Sequence, residues 1–566
     1  MDTEDVMDYC EVCVSVAQQL RQLLENRRGH KLAFSKSVIN IFIASFGTVE
    51  RIVTNNGCLA CKYLQREIYQ WEREYSWTRS DDLNIVLIPG YYKYELQLSL
   101  ETLKRDEDNH LIYPCRSQRL KFHLYPTEPS NDEDILGRVF NEERIDMGLI
   151  HGWAQCCEDT HMDTCTSKLS PHMEYCSPLK QMLFIDTEDK CLVYGSLDDK
   201  YIALSYVWGQ VATVRTTVSG LSRMTKPGAI EYDIRTPDFP LPETVRDIMR
   251  LACLLGVRYA WVDALCIVQY APDKADQLNA MASIYAGAYL TVISEGNDAG
   301  FGLPGIGSGA RARSRPCRQL PLPGMTLMVD ESTEDEDIIP MKAPGTWETR
   351  GWTLQEAVFS RRALTFHHNG IVSWRCKKCL WLETKIKPSE RLEWAEQNRE
   401  YVLKDWRYFG LGGINDDGLD IRRWCGLAEE YFSRRLTYDC DAVNALAGII
   451  SVISRLSPGG LVWGLPAYYF DIFLLWDIEC AEGDQMPQRR DDSASIPTWS
   501  FLGWKGGRLD TRWWRFSMDR TLGIGAWSVK QRTSQYVSVT TSTPTGRNHC
   551  LTLIPIPAFR DEDWLT

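Results

Sequence analysis

An alternation of strand-like and helix-like segments between Tyr201 and Glu295 constrains the fold of this chain most. In order, the segments read YIALSYVWG, LPETVRDIMRLACLLG, VRYAWVDALCIV, DQLNAMASIYAGA and YLTVISEG. Apolar runs of strand length alternate there with segments whose apolar residues recur at spacings of three and four. Because parallel strands need crossover helices between them, this order predicts an α/β fold with a doubly wound, mostly parallel sheet.

The first helix of this segment is predicted to run from Pro242 to the residue before Gly256, since proline favours the first helical turn and glycine the position after the last. Its predicted inward stripe consists of Val245, Ile248, Met249, Ala252 and Leu255. The next strand ends at Asp263, near a carboxyl end, where open parallel sheets build their binding crevices.

Composition excludes several classes of protein. The chain has 566 residues and a formal charge of −13, which argues against a nucleic-acid interface, because such an interface needs a basic patch. The N-terminus MDTEDVMDYC lacks the features of a secretory signal, and the most apolar late segment is broken by Pro466 and Asp471. We therefore expect a cytoplasmic protein without a membrane span.

Four regions are predicted, because a chain of this length exceeds the usual size of one domain. They are an N-terminal α+β module at 1–126, a lead-in segment at 135–199, an α/β core at 200–366, and a helical plus β region at 367–566. The polar segment PTEPSNDED supports the first boundary.

Two C-x2-C pairs lie in the N-terminal region, Cys10 with Cys13 and Cys58 with Cys61. Four thiolates presented as two such pairs satisfy tetrahedral zinc. Buried thiols without metal are the alternative, because free cysteine is also an ordinary core residue. The chain holds 19 cysteines, an odd number in a large chain, which favours thiols or metal ligands over a disulfide framework.

The spacing of other cysteines predicts a metal site less specifically. Cys157 and His161 share a helical face, and with Cys165 and Cys176 they offer a second set of ligands. The spacing to Cys176 matches no specific zinc pattern, so we interpret this segment as a packed helix end without metal. A third C-x2-C pair, Cys376 with Cys379, has no partner pair and is assigned no metal.

The blocks YIALSYVWG, LPETVRDIMRLACLLGVRYAWVDALCIVQ, MASIYAGAYLTVIS and RGWTLQEAVFSRRALTF occur in that order. Together they resemble the fungal heterokaryon incompatibility (HET) domain. This resemblance implies an intracellular effector of fungal nonself recognition that triggers programmed cell death. It implies a protein partner of an incompatibility system, or self-association. HET domains have also been likened to the flavodoxin-like TIR domain, some members of which cleave NAD with a glutamate.

Polar and aromatic residues of these blocks form the predicted site. Glu356 and Asp263 are the candidate catalytic residues. The candidate pocket residues are Ser205, Tyr206, Trp208, Gly209, Arg350, Trp352 and Gln355. An arginine can bind phosphate oxygens, aromatic faces can stack on a base, and a carboxylate can accept hydrogen bonds from ribose hydroxyls.

Each of these residues also has a structural interpretation. Asp263 is suited to capping a loop, Glu356 to pairing with Arg350 on the same helix, and Tyr206 and Trp208 to packing. Three functions therefore stay open: a nonself-recognition effector, an enzyme that cleaves NAD or a related nucleotide, and a non-catalytic interaction module or metabolic enzyme on the same scaffold. Zinc is the predicted structural cofactor, and NAD is the predicted substrate of the second alternative.

Overall fold

The computed structural model describes most of the chain. The described residues are 9–26, 41–71, 79–89, 96–105, 111–112, 121–126, 138, 141, 143–161, 165, 181–230, 241–272, 274–307, 313, 319–331, 345–368, 370–384, 389–390, 421–457, 459–480, 486–491, 496–512, 514, 540–542 and 548–550. They belong to two compact units, residues 1–413 with 444–448 and residues 414–443 with 449–566.

Ten α-helices are described in the first part of the chain. They are α1 (Glu11–Asn26), α2 (Val49–Thr54), α3 (Leu59–Trp71), α4 (Met147–Thr160), α5 (Leu221–Met224), α6 (Glu243–Leu254), α7 (Asp263–Cys266), α8 (Lys274–Asn279), α9 (Met281–Gly287) and α10 (Gly351–Phe359).

Sixteen strands accompany these helices among the described residues. They are β1 (Ile41–Thr48), β2 (Asp82–Pro89), β3 (Leu96–Arg105), β4 (Leu111–Ile112), β5 (Lys121–Pro126), β6 (Met182–Asp186), β7 (Cys191–Gly195), β8 (Tyr201–Ser205), β9 (Tyr259–Trp261), β10 (Leu290–Ser294), β11 (Gln319–Leu322), β12 (Met325–Glu331), β13 (Arg362–Phe366), β14 (Val372–Cys376), β15 (Cys379–Leu382) and β16 (Ser389–Glu390).

The N-terminal sheet has seven strands in the order β1-β2-β3-β5-β12-β11, with β4 paired to β3. All of its described pairs are antiparallel, as the alternating sequence between Leu83 and Tyr125 predicts. β11 and β12 come from residues 319–331, so a segment distant in sequence completes this sheet. Its apolar core includes residues of α1, α3 and β11 such as Leu20, Leu64 and Leu320.

A second sheet carries the candidate site and has nine strands in the order β16-β15-β14-β13-β10-β8-β9-β6-β7. Its four central strands, β13, β10, β8 and β9, are parallel to one another. The strands on both sides pair antiparallel. The α/β class is therefore confirmed, whereas the prediction of a mostly parallel sheet is wrong for the sheet as a whole. Hairpins extend the parallel centre, and a hairpin needs no crossover helix.

Helix α6 spans Glu243–Leu254, and both predicted end residues cap it, Pro242 at the N-cap and Leu255 at the C-cap. Gly256 has φ +64°. Its N–H bonds to the Cys253 carbonyl, and the Val257 N–H bonds to the Ala252 carbonyl at 2.9 Å, which together make a Schellman motif. Val245, Ile248 and Ala252 are buried as predicted.

The predicted stripe of α6 is wrong at Leu255 and only partly right at Met249, which is half-buried. Leu255 is half-buried after the helix ends, and Leu251 is fully buried in its place. Thr244 and Asp247 also face inward, because their side chains accept hydrogen bonds from the amides of Gly302 and Leu303 at 3.0 and 2.8 Å. A stripe drawn from apolar residues alone omits such polar contacts.

The second unit is described by itself. Its helices are Ile421–Phe432, most of Ala447–Leu456, and Phe470–Phe473, with 3-10 turns at Asp439–Ala442, Ala467–Tyr469 and Phe501–Gly503. Its strands form two-stranded pairs: Leu461–Val462 with Leu465–Pro466, Asp477–Glu479 with Arg508–Asp510, Gln488–Arg489 with Trp504–Lys505, and Thr540–Ser542 with Asn548–Cys550.

Within the described parts of both units, no helix is long and apolar enough to cross a membrane.

Candidate active site

The candidate site lies where the parallel centre of the nine-stranded sheet changes direction. From β8 the chain passes to β9 on one side, then crosses to β10 on the other side of β8. At such a switch point the loops that follow neighbouring strands lead to opposite sides of the sheet. A crevice therefore opens at the carboxyl ends of these strands. Ser205 ends β8, Asp263 follows β9, and Glu295 follows β10.

Glu356 is held at this edge by a chain of hydrogen bonds. The Trp347 indole N–H donates to Ser205 Oγ at 2.8 Å, and the Ser205 hydroxyl donates to Glu356 Oε2. All three side chains are buried. Helix α10 presents Glu356 because its first turn is fixed by Thr353, whose hydroxyl donates to the Trp347 carbonyl at 2.7 Å.

Asp263 is held by the loop that follows β8. The Trp208 indole N–H lies 2.9 Å from Oδ2 and 3.1 Å from Oδ1 of Asp263. The Ala264 N–H donates to Oδ1 at 2.7 Å. Arg350, the residue before α10, donates to the Tyr206 carbonyl at 3.0 Å. Segments after β8 and β9 and the start of α10 therefore meet at one place.

Burial, with a smaller contribution from the charge of Asp263, raises the pKa of Glu356 to about 7 against the opposing effects of the hydrogen bond from Ser205 and the charge of Arg350. Burial likewise raises the pKa of Asp263 to about 6 against the charge of Arg350. Burial also raises the pKa of Tyr206, and both carboxylates add to that effect. The two carboxylates, Arg350 and Tyr206 thus form one electrostatic group.

Gly209 permits the close approach of two loops at the switch point. It has φ +63°, and a Cβ on it would lie 2.3 Å from Asp298 Cβ. The Ala299 N–H donates to the Trp208 carbonyl at 3.3 Å, which joins the loop after β8 to the loop after β10. Arg215 lies over the Trp208 ring, with its guanidinium carbon 4.8 Å from the ring centroid.

One predicted pocket residue, Gln355, has other surroundings. Gln355 is buried, and its Oε1 faces Gly448, at 3.2 Å from where a Cβ on that glycine would lie. Because neighbouring residues on a helix point in different directions, Gln355 turns away from the direction of Glu356. Trp352 is half-buried on α10.

Trp347 and Tyr285, two residues that act on Glu356, were not among the predicted site residues. Trp347 belongs to the block TWETRGW, so its proximity to Arg350 in sequence was the available signal. Tyr285 donates to the Leu204 carbonyl at 3.0 Å. Burial raises its pKa and the charge of Glu356 adds to this, so Tyr285 belongs to the same electrostatic group. Tyr285 lies within the apolar run of α9, where sequence alone predicts only packing.

A further ion pair lies at the same edge of the sheet. His367 Nδ1 is 3.0 Å from Glu295 Oε1, and His368 Nδ1 is 3.5 Å from Oε2. Burial alone would raise the pKa of Glu295, but the two histidines lower it to about 2. His367 Nε2 lies 2.7 Å from Ser373 Oγ, so this pair is tied to the neighbouring hairpin.

Comparison with known proteins gives one match. The family model described as Heterokaryon incompatibility protein (HET) matches residues 201–356. These residues match the HET family. No curated protein and no solved structure matches the chain.

The HET segment contains every predicted catalytic and pocket residue, from Ser205 to Glu356, and Glu356 is its last matched position. The match confirms the resemblance drawn from the sequence blocks and supports a protein of the heterokaryon incompatibility type. The paired cysteines of the N-terminal region lie outside the HET segment.

The four N-terminal cysteines converge as predicted. The sulfurs of Cys10, Cys13, Cys58 and Cys61 lie within 4.8 Å of one another, so this group could hold a metal ion. The Cys10–Cys61 and Cys13–Cys61 sulfur distances are 3.9 and 3.8 Å. Tetrahedral zinc with Zn–S bonds of about 2.3 Å places its sulfurs about 3.8 Å apart. The measured separations therefore fit zinc.

The second set of cysteines departs from the sequence interpretation. Cys157, His161 and Cys165 do come together, but the fourth member is Cys376, from the pair that was assigned no metal. The assignment of no metal to Cys376 therefore does not fit the geometry, since three possible ligands surround its sulfur. The sequence missed them because they lie more than 200 residues earlier in the chain, and no rule of ligand spacing covers such a separation. Cys176 lies outside the described residues.

Proposed function

We propose that the HET segment is the effector domain of a fungal nonself-recognition protein, and that Asp263 and Glu356 cleave the bond between nicotinamide and ribose in NAD or a related nucleotide. The observation that carries this proposal is the pair of carboxylates, buried Glu356 and half-buried Asp263, whose pKa values are raised by burial and respond to the charge of Arg350. Their raised pKa values lie close to neutral pH, where a carboxyl group can exchange protons during a reaction.

The chemistry of this cleavage suits paired carboxylates. The C–N bond breaks, its electron pair leaves with the nicotinamide nitrogen, and positive charge develops on the ribose. An ionised carboxylate nearby stabilises that charge, as in glycoside cleavage. A water molecule then adds to the ribose carbon and gives up one proton. A carboxylate of intermediate pKa is suited to accept it.

The cations near this group suit a nucleotide. Arg350 is half-buried and its charge acts to lower the pKa of both carboxyl groups, and Arg215 is exposed above Trp208. A guanidinium binds phosphate oxygens with two parallel hydrogen bonds, so these residues are candidates for the diphosphate. Arg215 was not among the predicted pocket residues, since it lies in the polar loop after β8.

Strand order supports a TIR-like interpretation of the HET segment. In chain order, the four parallel strands occupy the spatial order second, first, third, fourth, which is the flavodoxin-like order. α9 packs against α10, and α6 packs against β9. Right-handed crossovers would place α6 on one face and the other two helices on the opposite face. Strand order describes a fold and does not establish activity, so the carboxylates remain the argument for catalysis.

The test is incubation of the purified full-length protein with NAD while nicotinamide release is followed by chromatography. Wild type should release nicotinamide, and Glu356→Gln and Asp263→Asn should not. The control is Glu188→Gln, whose carboxylate is 66% exposed on the turn between β6 and β7. Equal release by all four proteins, or release by none, would remove the enzymatic part of the proposal.

A non-catalytic role is the second candidate, and one observation favours it. Trp208 engages both oxygens of Asp263, while Ser205 engages Glu356, so these carboxylates already have partners within the fold. A satisfied buried network stabilises a unique structure. In that case the HET segment would act through a protein partner or through self-association. Light scattering would then show the same assembly for wild type and Glu356→Gln, and neither protein would release nicotinamide from NAD.

We also propose that Cys10, Cys13, Cys58 and Cys61 bind a structural zinc ion. Their four thiolates close the coordination shell and leave no position for a substrate, which is typical of structural sites. Arg51 supports the assignment, since its guanidinium lies 3.5 Å from Cys10 Sγ and 3.9 Å from Cys61 Sγ. A cation there offsets the negative charge of a zinc ion with four thiolates.

A further inference from the structure

Three residues of the lead-in segment present ligands to one point. Cys157 and His161 belong to the last turn and C-cap of α4, and Cys165 follows one turn later. The His161 N–H bonds to the Cys157 carbonyl at 3.2 Å, and the Cys165 N–H bonds to the His161 carbonyl at 2.8 Å. Because these bonds continue the four-residue spacing of a helix, the three side chains share one face.

The fourth ligand comes from the tight turn between β14 and β15. Cys376 ends β14, and the N–H groups of Lys378 and Cys379 point at its Sγ, at 3.4 and 3.3 Å. Two backbone donors on one sulfur stabilise a thiolate. The turn therefore fixes the position of Cys376 Sγ beside the ligands of the lead-in segment.

The geometry fits tetrahedral zinc. All four ligand atoms lie within 4.8 Å of one another, and the three cysteines are nearly fully buried. His161 Nδ1 lies 3.5 Å from Cys376 Sγ. In a tetrahedral site with a Zn–S bond of about 2.3 Å and a Zn–N bond of about 2.0 Å, the sulfur and the nitrogen lie about 3.5 Å apart, which agrees with this distance. His161 Nε2 lies 3.6 Å from Cys379 Sγ, so the second ring nitrogen has a partner that orients the ring.

A buried arginine offers an independent argument. Arg362 pairs with Cys376 across β13 and β14, so both side chains lie on the same face of the sheet. Arg362 is 3% exposed, and within the described part of the chain its Nε and Nη2 have no hydrogen-bond partner. Its Nη1 donates to the Tyr289 carbonyl at 3.4 Å and the guanidinium lies over the Tyr289 ring, but a buried cation is costly unless negative charge compensates it. Three thiolates, one neutral histidine and Zn²⁺ carry a net charge of −1, which would compensate it.

We propose that Cys157, His161, Cys165 and Cys376 bind a second structural zinc ion, which fastens α4 and the lead-in segment to the hairpin edge of the nine-stranded sheet. Four protein ligands leave no open position, so the ion supplies stability and takes no part in catalysis. The hairpin also contacts α10, since Arg375 donates to the Ala357 carbonyl at 3.1 Å. Loss of this metal should therefore loosen the packing around α10 as well.

The experiment measures zinc per chain in the full-length protein by mass spectrometry of the metal. Cys376→Ser and Cys157→Ser should each hold about one equivalent less than wild type, whatever the N-terminal cysteines bind. The matched control is Cys156→Ser, which changes the exposed neighbour of Cys157 on the same helix and should keep the wild-type content. Unchanged zinc in Cys376→Ser would overturn the proposal.

Two further measurements keep the test decisive if a serine variant fails to fold. His161→Cys preserves four ligands, so its cobalt-loaded form should show stronger sulfur-to-cobalt absorption than cobalt-loaded wild type. An unaltered spectrum would contradict the assignment of His161. Disulfide mapping of the protein as isolated should find Cys157, Cys165 and Cys376 unlinked. A disulfide among them would equally overturn the site.

Discussion

The Ser205 hydroxyl donates a hydrogen bond to Glu356 Oε2 across 151 positions of the chain. The contact joins the end of β8 to the middle of α10, and it fixes a carboxylate where the parallel strands end. Trp347 extends the contact by donating to Ser205. The candidate site depends on this network, because it sets the position of Glu356, while burial raises the pKa of its carboxyl group.

Glu356→Gln should change how stability depends on pH. Burial raises the pKa of Glu356 to about 7 in the folded protein, so the folded state holds a proton that the unfolded state releases above its own pKa, near 4.5. Stability should therefore fall as pH rises from about 4.5 to 7, by about 3 kcal/mol for this group. Urea unfolding at about pH 5 and pH 8 should show a smaller decrease for Glu356→Gln. Parallel profiles for the two proteins would show that the carboxyl group is not perturbed by folding.

Gly209→Ala should disrupt the approach of the two loops at the switch point. The new methyl group would lie 2.3 Å from Asp298 Cβ at φ +63°. We expect a loss of about 2 kcal/mol or more in unfolding free energy, and loss of nicotinamide release. The control is Gly256→Ala, which has φ +64° but open space around it, so only backbone strain of about 1 kcal/mol applies. Equal effects of both variants would show that the contact with Asp298 is unimportant.

Leu251→Ala should cost about 2 to 5 kcal/mol of unfolding free energy, because Leu251 is fully buried on α6. Leu254→Ala, on the same helix, should change stability by less than about half a kcal/mol, since Leu254 is 48% exposed. Chemical denaturation measures both. If the two leucines were equally important, the inward face of α6 would be misassigned.

Cys58→Ser should remove about one zinc equivalent and destabilise the N-terminal sheet, because metal binding there contributes directly to folding. Cys253→Ser, which changes an exposed cysteine on α6, should leave zinc content unchanged. Metal analysis and proteolysis of the N-terminal region provide the readouts. A wild-type protein without zinc but with an intact N-terminal sheet would contradict the assignment.

The sequence predicted the parts of this structure that depend on local chemistry. Gly256 ends α6, Asp263 follows β9, and the two N-terminal C-x2-C pairs meet. Apolar periodicity and turn residues determine such features within short segments. The same alternation predicts that β8, β9 and β10 are parallel strands joined by helices.

Contacts between distant segments escaped prediction. Cys376 joins Cys157 from the far side of the HET segment, and β11 and β12 complete a sheet that begins at β1. Trp347 and Tyr285 reach the candidate site through side-chain directions that periodicity does not define. Leu255 was misplaced because α6 ends at Leu254, so Leu255 is the C-cap residue and no longer follows the stripe of the helix.

The rate of nicotinamide release as a function of pH tests the catalytic claim most directly. If ionised Glu356 stabilises the charge that develops on ribose, kcat/KM for NAD should rise with pH through a pKa of about 7 and then level off. Glu356→Gln should show only background release at every pH, while Glu188→Gln should follow wild type. Release by Glu356→Gln with the wild-type pH profile, or no release by wild type between about pH 5 and pH 9, would contradict the account.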